Sequence, residues 1–142
     1  MKNKFLIFLI YFLTISLNVI AEESKFEVKD IKITNNGNSI NASNGKFITA
    51  DGELEIVAKK FLYNKKEKIL DVFKGTSNNK LDNLEIIFDK STYNEKNFIL
   101  TAQGNIKIND SINNLKIESE IITIDRKKNY GTIAGLFHLL QY

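Results

Sequence analysis

Apolar and polar residues alternate with period two along most of the chain after residue 25. Leu54, Ile56 and Ala58 share one phase against Glu55 and Lys59, with Val57 breaking the alternation. Leu84, Ile86 and Phe88 stand against Glu85 and Asp89. Ile106 and Ile108 alternate with Asn105, Lys107 and Asn109, and Leu115 and Ile117 with Lys116 and Glu118. This pattern predicts half-buried strands, and the abundant Ile, Val and Thr suit a pleated surface. Phe26, Val28, Ile31 and Ile33 predict a first strand. No segment after residue 21 carries a sustained helical stripe. Asn36-Gly37, Asn44-Gly45 and Asp51-Gly52 offer the positive φ angles of tight hairpin turns. Between them, 39–42 and 46–49 are predicted as two short strands.

The strands recur in three copies. Copy one runs from Leu54 to Gly75, copy two from Leu84 to Gly104, and copy three from Leu115 to Gly135. The leading leucines are 30 and 31 residues apart. Each copy holds a strand, a polar turn, a second strand and a glycine. The turns fall at Tyr63-Asn64-Lys65-Lys66, Tyr93-Asn94-Glu95-Lys96 and Ile124-Asp125-Arg126-Lys127. A fixed period of this length implies stacked units that bury their apolar faces against one another. Function is then expected in a surface or groove shared along the stack. The recurring glycines are expected to mark bends or bulges.

The N-terminus reads as an export signal. Lys2 and Lys4 precede a 13-residue run, 5–17, that is almost wholly apolar, and Val19-Ile20-Ala21 precedes Glu22-Glu23. This is the layout of a signal peptide cut after Ala21, and the run is short of the roughly 20 residues of a bilayer span. Cleavage leaves 22–142 as one domain, with 18 basic against 17 acidic side chains. That balance gives no electrostatic case for nucleic acid, and the lysines show no aromatic interleaving of the kind that a base-stacking platform has.

Candidate chemistry is sparse. The sequence has no Cys and no Pro, which removes a thiol nucleophile, a Cys-ligated metal and a lipoprotein anchor. His138 is the only histidine, so neither a metal nor a cofactor is expected. No nucleophile-elbow sequence surrounds any serine. Asp51, Glu53, Glu55, Glu67, Asp71, Glu85 and Asp89 fall at turns or on the polar phase, as a solvated face requires. Lys59, Lys60, Lys65, Lys66 and Lys68 form the one dense basic patch, read as a solvated turn or a rim that meets anionic groups. Phe61, Tyr63, Phe88, Tyr93 and Phe98 serve equally as core or as groove lining. The absence of proline leaves the sheet edges free to pair.

Several phrases resemble a known family. Ile48-Thr49-Ala50-Asp51-Gly52, the run from Leu54 through Ala58-Lys59-Lys60-Phe61-Leu62-Tyr63-Asn64, and Leu100-Thr101-Ala102-Gln103-Gly104-Asn105-Ile106-Lys107-Ile108 resemble the OstA-like (organic solvent tolerance) domain of periplasmic lipopolysaccharide-transport proteins. Copy two matches best. Copy one departs at Ser77-Asn78-Asn79 and copy three after Gly135.

The resemblance implies an all-β, antiparallel, repeat-built β-jelly roll, V-shaped and open along one side. It implies a non-enzymatic periplasmic conduit that holds the acyl chains of lipopolysaccharide and passes them toward the outer membrane. Partners would be lipopolysaccharide and other transport subunits, joined by edge-strand pairing, with self-association by the same route. Both a stand-alone bridge and the N-terminal part of an outer-membrane translocon fit the resemblance. The lipid-lining residues expected are Leu54, Ile56, Ala58, Leu84, Ile86, Phe88, Ile106, Ile108, Leu115 and Ile117. Burying a 14-carbon chain yields about 10 kcal/mol before costs, so such a trough needs no polar anchor. The alternative is a non-catalytic structural β-repeat module of an exported surface protein, with a dry core. Intact-mass measurement of the exported protein is expected to give a chain starting at Glu22, and a chain starting at Met1 would exclude cleavage.

Overall fold

The alternation becomes nine strands, seen in a computed structural model that describes residues 23–141 apart from 82, 129, 136 and 137. The expected signal segment lies outside these residues. The strands are β1 Lys25–Thr34, β2 Ser39–Ile48, β3 Leu54–Asn64, β4 Ile69–Asn79, β5 Leu84–Asn94, β6 Ile99–Asp110, β7 Leu115–Asp125, β8 Tyr130–Ala134 and β9 His138–Gln141. They form one antiparallel sheet in chain order from β1 to β8. β8 pairs with the second half of β7 and β9 with its first half. Each repeat is a hairpin: β3–β4, β5–β6, and β7 with β8. The polar turns fall where the sequence places them, immediately after Asn64, Asn94 and Asp125.

One column of residues bends every strand. Register places Lys29, Asn44, Lys59, Lys74, Asp89, Gly104, Glu120 and Gly135 side by side across the sheet, midway along its length. Asn44, Lys74, Gly104 and Gly135, on every second strand or its end, have positive φ of 52 to 96°. The inner phase skips a residue here. Inward Leu54, Ile56 and Ala58 are followed by Phe61, and Phe88 is followed by Ser91. The sheet therefore creases along this line, and its two halves fold toward each other with one apolar face inside. The column's charged members stand exposed on the convex side.

The crease corrects one expectation. Asn44-Gly45 makes no hairpin, and 39–49 does not divide into two short strands. β2 runs unbroken through the dipeptide. Asn44 supplies the bend, at φ 53°, and Gly45 passes so close to β1 that a Cβ would lie 2.2 Å from the Glu27 carbonyl oxygen. The crease also explains the unequal spacing of the copies. β6 carries one residue more than its neighbours between Gln103 and Lys107. This bulge, with Gly104 and Asn105 both at positive φ, lengthens that interval from 30 to 31.

The core between the halves is apolar. Phe47, Ile56, Phe61, Leu70, Val72 and Ala102 are fully buried, and Leu54, Ile86, Phe88, Tyr93, Leu100 and Ile106 nearly so. At the β1 side, Phe26 packs edge-on against Phe47 and Phe61, at 5.0 and 5.8 Å between ring centres, and Tyr63 closes the group at 5.9 Å from Phe26. Several apolar residues, among them Ile31, Ile33, Val57, Ile87 and Ile121, stay exposed, whereas another is partly covered. Phe73 lies between the ammonium groups of Lys60 and Lys90, at 5.6 and 5.8 Å.

The crease yields a paired prediction. Gly104 sits at φ +78°, where an added Cβ would meet the Asp89 side chain at 3.0 Å, so Gly104→Val is expected to lower stability by about 1–3 kcal/mol. Lys74 already bears the left-handed strain that glycine avoids, so Lys74→Gly is expected to cost nothing. Urea denaturation measures both. Equal losses would show that the column is not a strained bend.

Candidate functional site

All ten lining residues expected from the sequence share the inner face, in rows fixed by pairing. Leu54, Asn79, Leu84, Asp110 and Leu115 form one row across β3 to β7, and Ile56, Ser77, Ile86, Ile108 and Ile117 the next. The rows do not play one role. Ile56, Ala58, Phe88 and Ile106 are buried in the packed core. Leu54, Leu84, Ile86, Ile108 and Ile117 line a hollow. Leu115 is half-buried at its rim and does not line it.

That hollow occupies the β4–β8 side of the interior, about 510 Å3 in volume. Its opposite wall comes from beyond the crease: Leu100, Ile122, Ile124 and Ile133. The sequence reading missed this wall because period-two alternation stops at the bend, where the inner phase skips a residue. Polar groups stand at its margins, among them Asp110, Asn113 and Arg126. Asp110 is held below the ordinary carboxylate range by hydrogen bonds from the Asn113 side chain and backbone. On the β1–β3 side the aromatic group fills the centre of the interior, and Phe26, Ile40 and Tyr63 also border a second hollow.

The free ends of the two sheet halves meet along a polar seam. Hairpin turns at one end of the sheet are stitched together by backbone bonds. The N–H groups of Lys65, Glu95 and Arg126 donate to the carbonyls of Asn38, Lys68 and Phe98, at 2.8, 3.0 and 3.1 Å. These three residues hold the same place in successive hairpin turns, the first after the strand. The stitching turns their side chains across the seam toward segments from the other end of the sheet. Lys65 pairs with Glu23 at 3.8 Å. Glu95 accepts from the hydroxyls of Ser24 and Tyr63.

Arg126 makes the fullest contact. Its guanidinium donates to the Tyr93 hydroxyl at 3.0 Å, to Glu53 at 3.1 Å and to Asp51 at 3.4 Å. Its side chain is 6% exposed. Asp51 and Glu53 belong to the β2–β3 turn and Arg126 to the β7–β8 turn, so this clasp joins distant parts of the chain. Among 20 basic residues it is the single arginine. That singularity was the available sequence signal, since only arginine presents a flat fork able to serve three acceptors.

Environment shifts the seam groups in opposite directions. Partial burial works against charge on Asp51, but the Thr49 hydroxyl, the Glu53 N–H and the Arg126 guanidinium outweigh it and hold the carboxyl below its ordinary value. Burial raises the Tyr63 phenol strongly, reinforced by the Glu95 carboxylate. Burial raises the Tyr93 phenol as well, against the opposing pull of Arg126. A second hollow of about 490 Å3 follows the seam, lined by Tyr63, Tyr93, Phe98, Lys65 and Lys68 among others. The basic patch thus divides between the crease and the rim of this hollow. Among the described residues, no group of three or more His, Cys, Asp or Glu is placed to hold a metal.

The seam predicts a stability profile with two limbs. Asp51 has a depressed folded pKa, so its contribution is present above the unfolded value of 3.8 and is lost as pH falls through the lower folded one. Tyr63 and Tyr93 have raised folded values, so theirs is present below 10.0 and is lost as pH rises beyond it. Arg126→Ala is expected to lower stability at neutral pH by about 1–3 kcal/mol, by stranding the Tyr93 hydroxyl and two carboxylates. It should also flatten the acid limb. Thermal unfolding between pH 3 and 11 reads both, and an unchanged acid limb in Arg126→Ala would remove Asp51 from the account.

No protein-family model matches the chain, and neither does any curated protein. A likeness is found among solved structures. The crystal structure of LptH from Pseudomonas aeruginosa, described as the LptA homologous periplasmic component of the conserved lipopolysaccharide transport device, superposes with a TM-score of 0.71. The match covers 86% of this chain and 97% of LptH at 8% identity. At that identity the likeness is one of fold: the chain has the open antiparallel β-jelly roll of LptH, which is the architecture that the OstA-like resemblance implied.

Proposed function

We propose that this protein is a periplasmic lipid-conduit module, exported by its N-terminal signal, that receives the acyl chains of lipopolysaccharide in its interior and passes them toward the outer membrane. The observation that carries this reading is the hollow between the two sheet halves. It is walled by Leu54, Leu84, Ile86, Ile117, Ile122 and Ile124, in a fold shared with a periplasmic component of lipopolysaccharide transport. Its volume lies within the range of small-molecule sites. Isoleucine and leucine make up most of its walls, which suits a flexible hydrocarbon, with Ser77, Asn79, Asp110, Asn113 and Arg126 as the polar part of the lining. Of the ten residues first assigned to lipid contact, the five that line the hollow are proposed to touch the chain directly. Ile56, Ala58, Phe88 and Ile106 are proposed to hold the sheet halves apart. Other transport subunits, or a second copy, are proposed to join at the outer strands of the sheet.

The structural-repeat alternative draws on a specific observation. The aromatic group around Phe26 is tightly packed, as the core of a fibre or adhesin repeat would be throughout. The two readings part at the hollow. A photo-crosslinker at Ile86, Ile117 or Ile124 is expected to form lipopolysaccharide adducts in cells. The same group at Val57, which is 44% exposed on the outer face, is expected to form none. No adduct at any inner position would sink the conduit reading and leave the structural one.

A further inference from the structure

We infer that Arg126 is a polar anchor of the hollow, and that it takes an uncharged acceptor, the carbonyl oxygen of an acyl ester or amide. The inference rests on the conduit reading and specifies where along the lipid the chain is gripped.

Three observations converge on Arg126. Its side chain lines the hollow. It is the one arginine of the chain and is nearly excluded from water. Its Nε–H is buried with no hydrogen-bond partner among the described residues, although the rest of the guanidinium is engaged. A buried donor left unpaired is costly and rare in a settled structure. The unmet bond therefore points to an acceptor that arrives with a ligand.

Charge decides what kind of acceptor. The guanidinium already faces the carboxylates of Asp51 and Glu53, and Asp110 stands at the margin of the same hollow as a stabilised anion. At the guanidinium itself one positive group thus faces two negative ones. A phosphate or carboxylate entering there would meet net repulsion. A neutral carbonyl would not, and it accepts hydrogen bonds without donating any. The atom Nε is closed off in the empty seam, so the acceptor reaches it when the guanidinium shifts toward the hollow. The 3.4 Å contact to Asp51 is the weakest of its bonds and the first to yield. The apolar walls beyond it, Leu100, Ile122 and Ile124, then receive the hydrocarbon that follows the carbonyl. The charged part of the amphiphile stays outside the seam.

Three probes with equal 14-carbon chains test this on the purified protein by displacement of a fluorescent fatty probe: 1-monomyristoylglycerol, the ether 1-O-tetradecylglycerol, and tetradecyl phosphate. The ester is expected to bind about 3- to 10-fold more tightly than the ether, the worth of one hydrogen bond, and the phosphate to bind no better than the ether. Arg126→Lys should bring the ester-to-ether affinity ratio to about one whatever it does to the two affinities together, whereas mere loosening of the seam would weaken both and keep the ratio.

Should that variant fail to fold, the unaltered protein still decides. Its lone arginine gives one Nε–H signal in a proton–nitrogen correlation spectrum, and this signal should move with ester and not with ether. Equal affinity for ester and ether, or tightest binding of the phosphate, overturns the anchor and leaves the conduit standing. Failure of all three probes to bind overturns both.

Discussion

The crease governs the rest of the molecule. A period-two sheet of this length would otherwise lie as a twisted ribbon with one greasy face in water. Bending every strand at the same height encloses that face. The requirement is collective, since one straight strand among bent neighbours would break its ladders on both sides. The 30-residue period meets it, because two strands and two turns return the chain to the bend at each half-period. The sequence marks the place modestly, with Asn, Lys and Gly on alternate strands tolerating a left-handed backbone. Where β6 takes an extra residue, the period stretches by one and the column stays aligned.

The seam follows from the crease. Folding a sheet across its strands brings opposite hairpin ends together, and those ends are turns, which are polar. The three equivalent turn positions differ in charge, Lys65, Glu95 and Arg126, and each meets a partner on the facing lip: Glu23, the Ser24 hydroxyl, and Asp51 with Glu53. Exposed ion pairs of the Lys65–Glu23 type contribute little. The Arg126 clasp is nearly dry and serves three acceptors, so closure on the hollow side depends chiefly on it.

Much of this was legible in the residues. Alternation gave the strands, Asn-Gly and Asp-Gly gave two of three turns, and the repeat gave stacked hairpins. Asn44-Gly45 misled because the same left-handed preference that makes a tight turn also makes a bend within a strand. The inner phase was readable up to the crease and not beyond it: Ala58 and Phe61 are both inside, three residues apart, and alternation cannot be carried across such a skip. Hence Leu54 to Ile117 were found and the facing wall of Leu100, Ile122 and Ile124 was not. Contacts across the seam, such as Arg126 with Glu53, join residues more than 70 positions apart. No local pattern encodes them, although a lone arginine among lysines hints at a demanding place.

The aromatic group at the β1 side has a consequence for traffic. Phe26, Phe47, Phe61 and Tyr63 pack together on the β1 side, between the first hollow and the outermost strand, and two of them, Phe26 and Tyr63, also line the second hollow. Phe26 belongs to the outermost strand and touches each of the other three rings, which makes β1 the latch. In the conduit reading, passage beyond this group calls for that strand to move outward, against three rings that meet Phe26 edge-on or tilted, and the work of doing so falls on whatever pushes the next guest in.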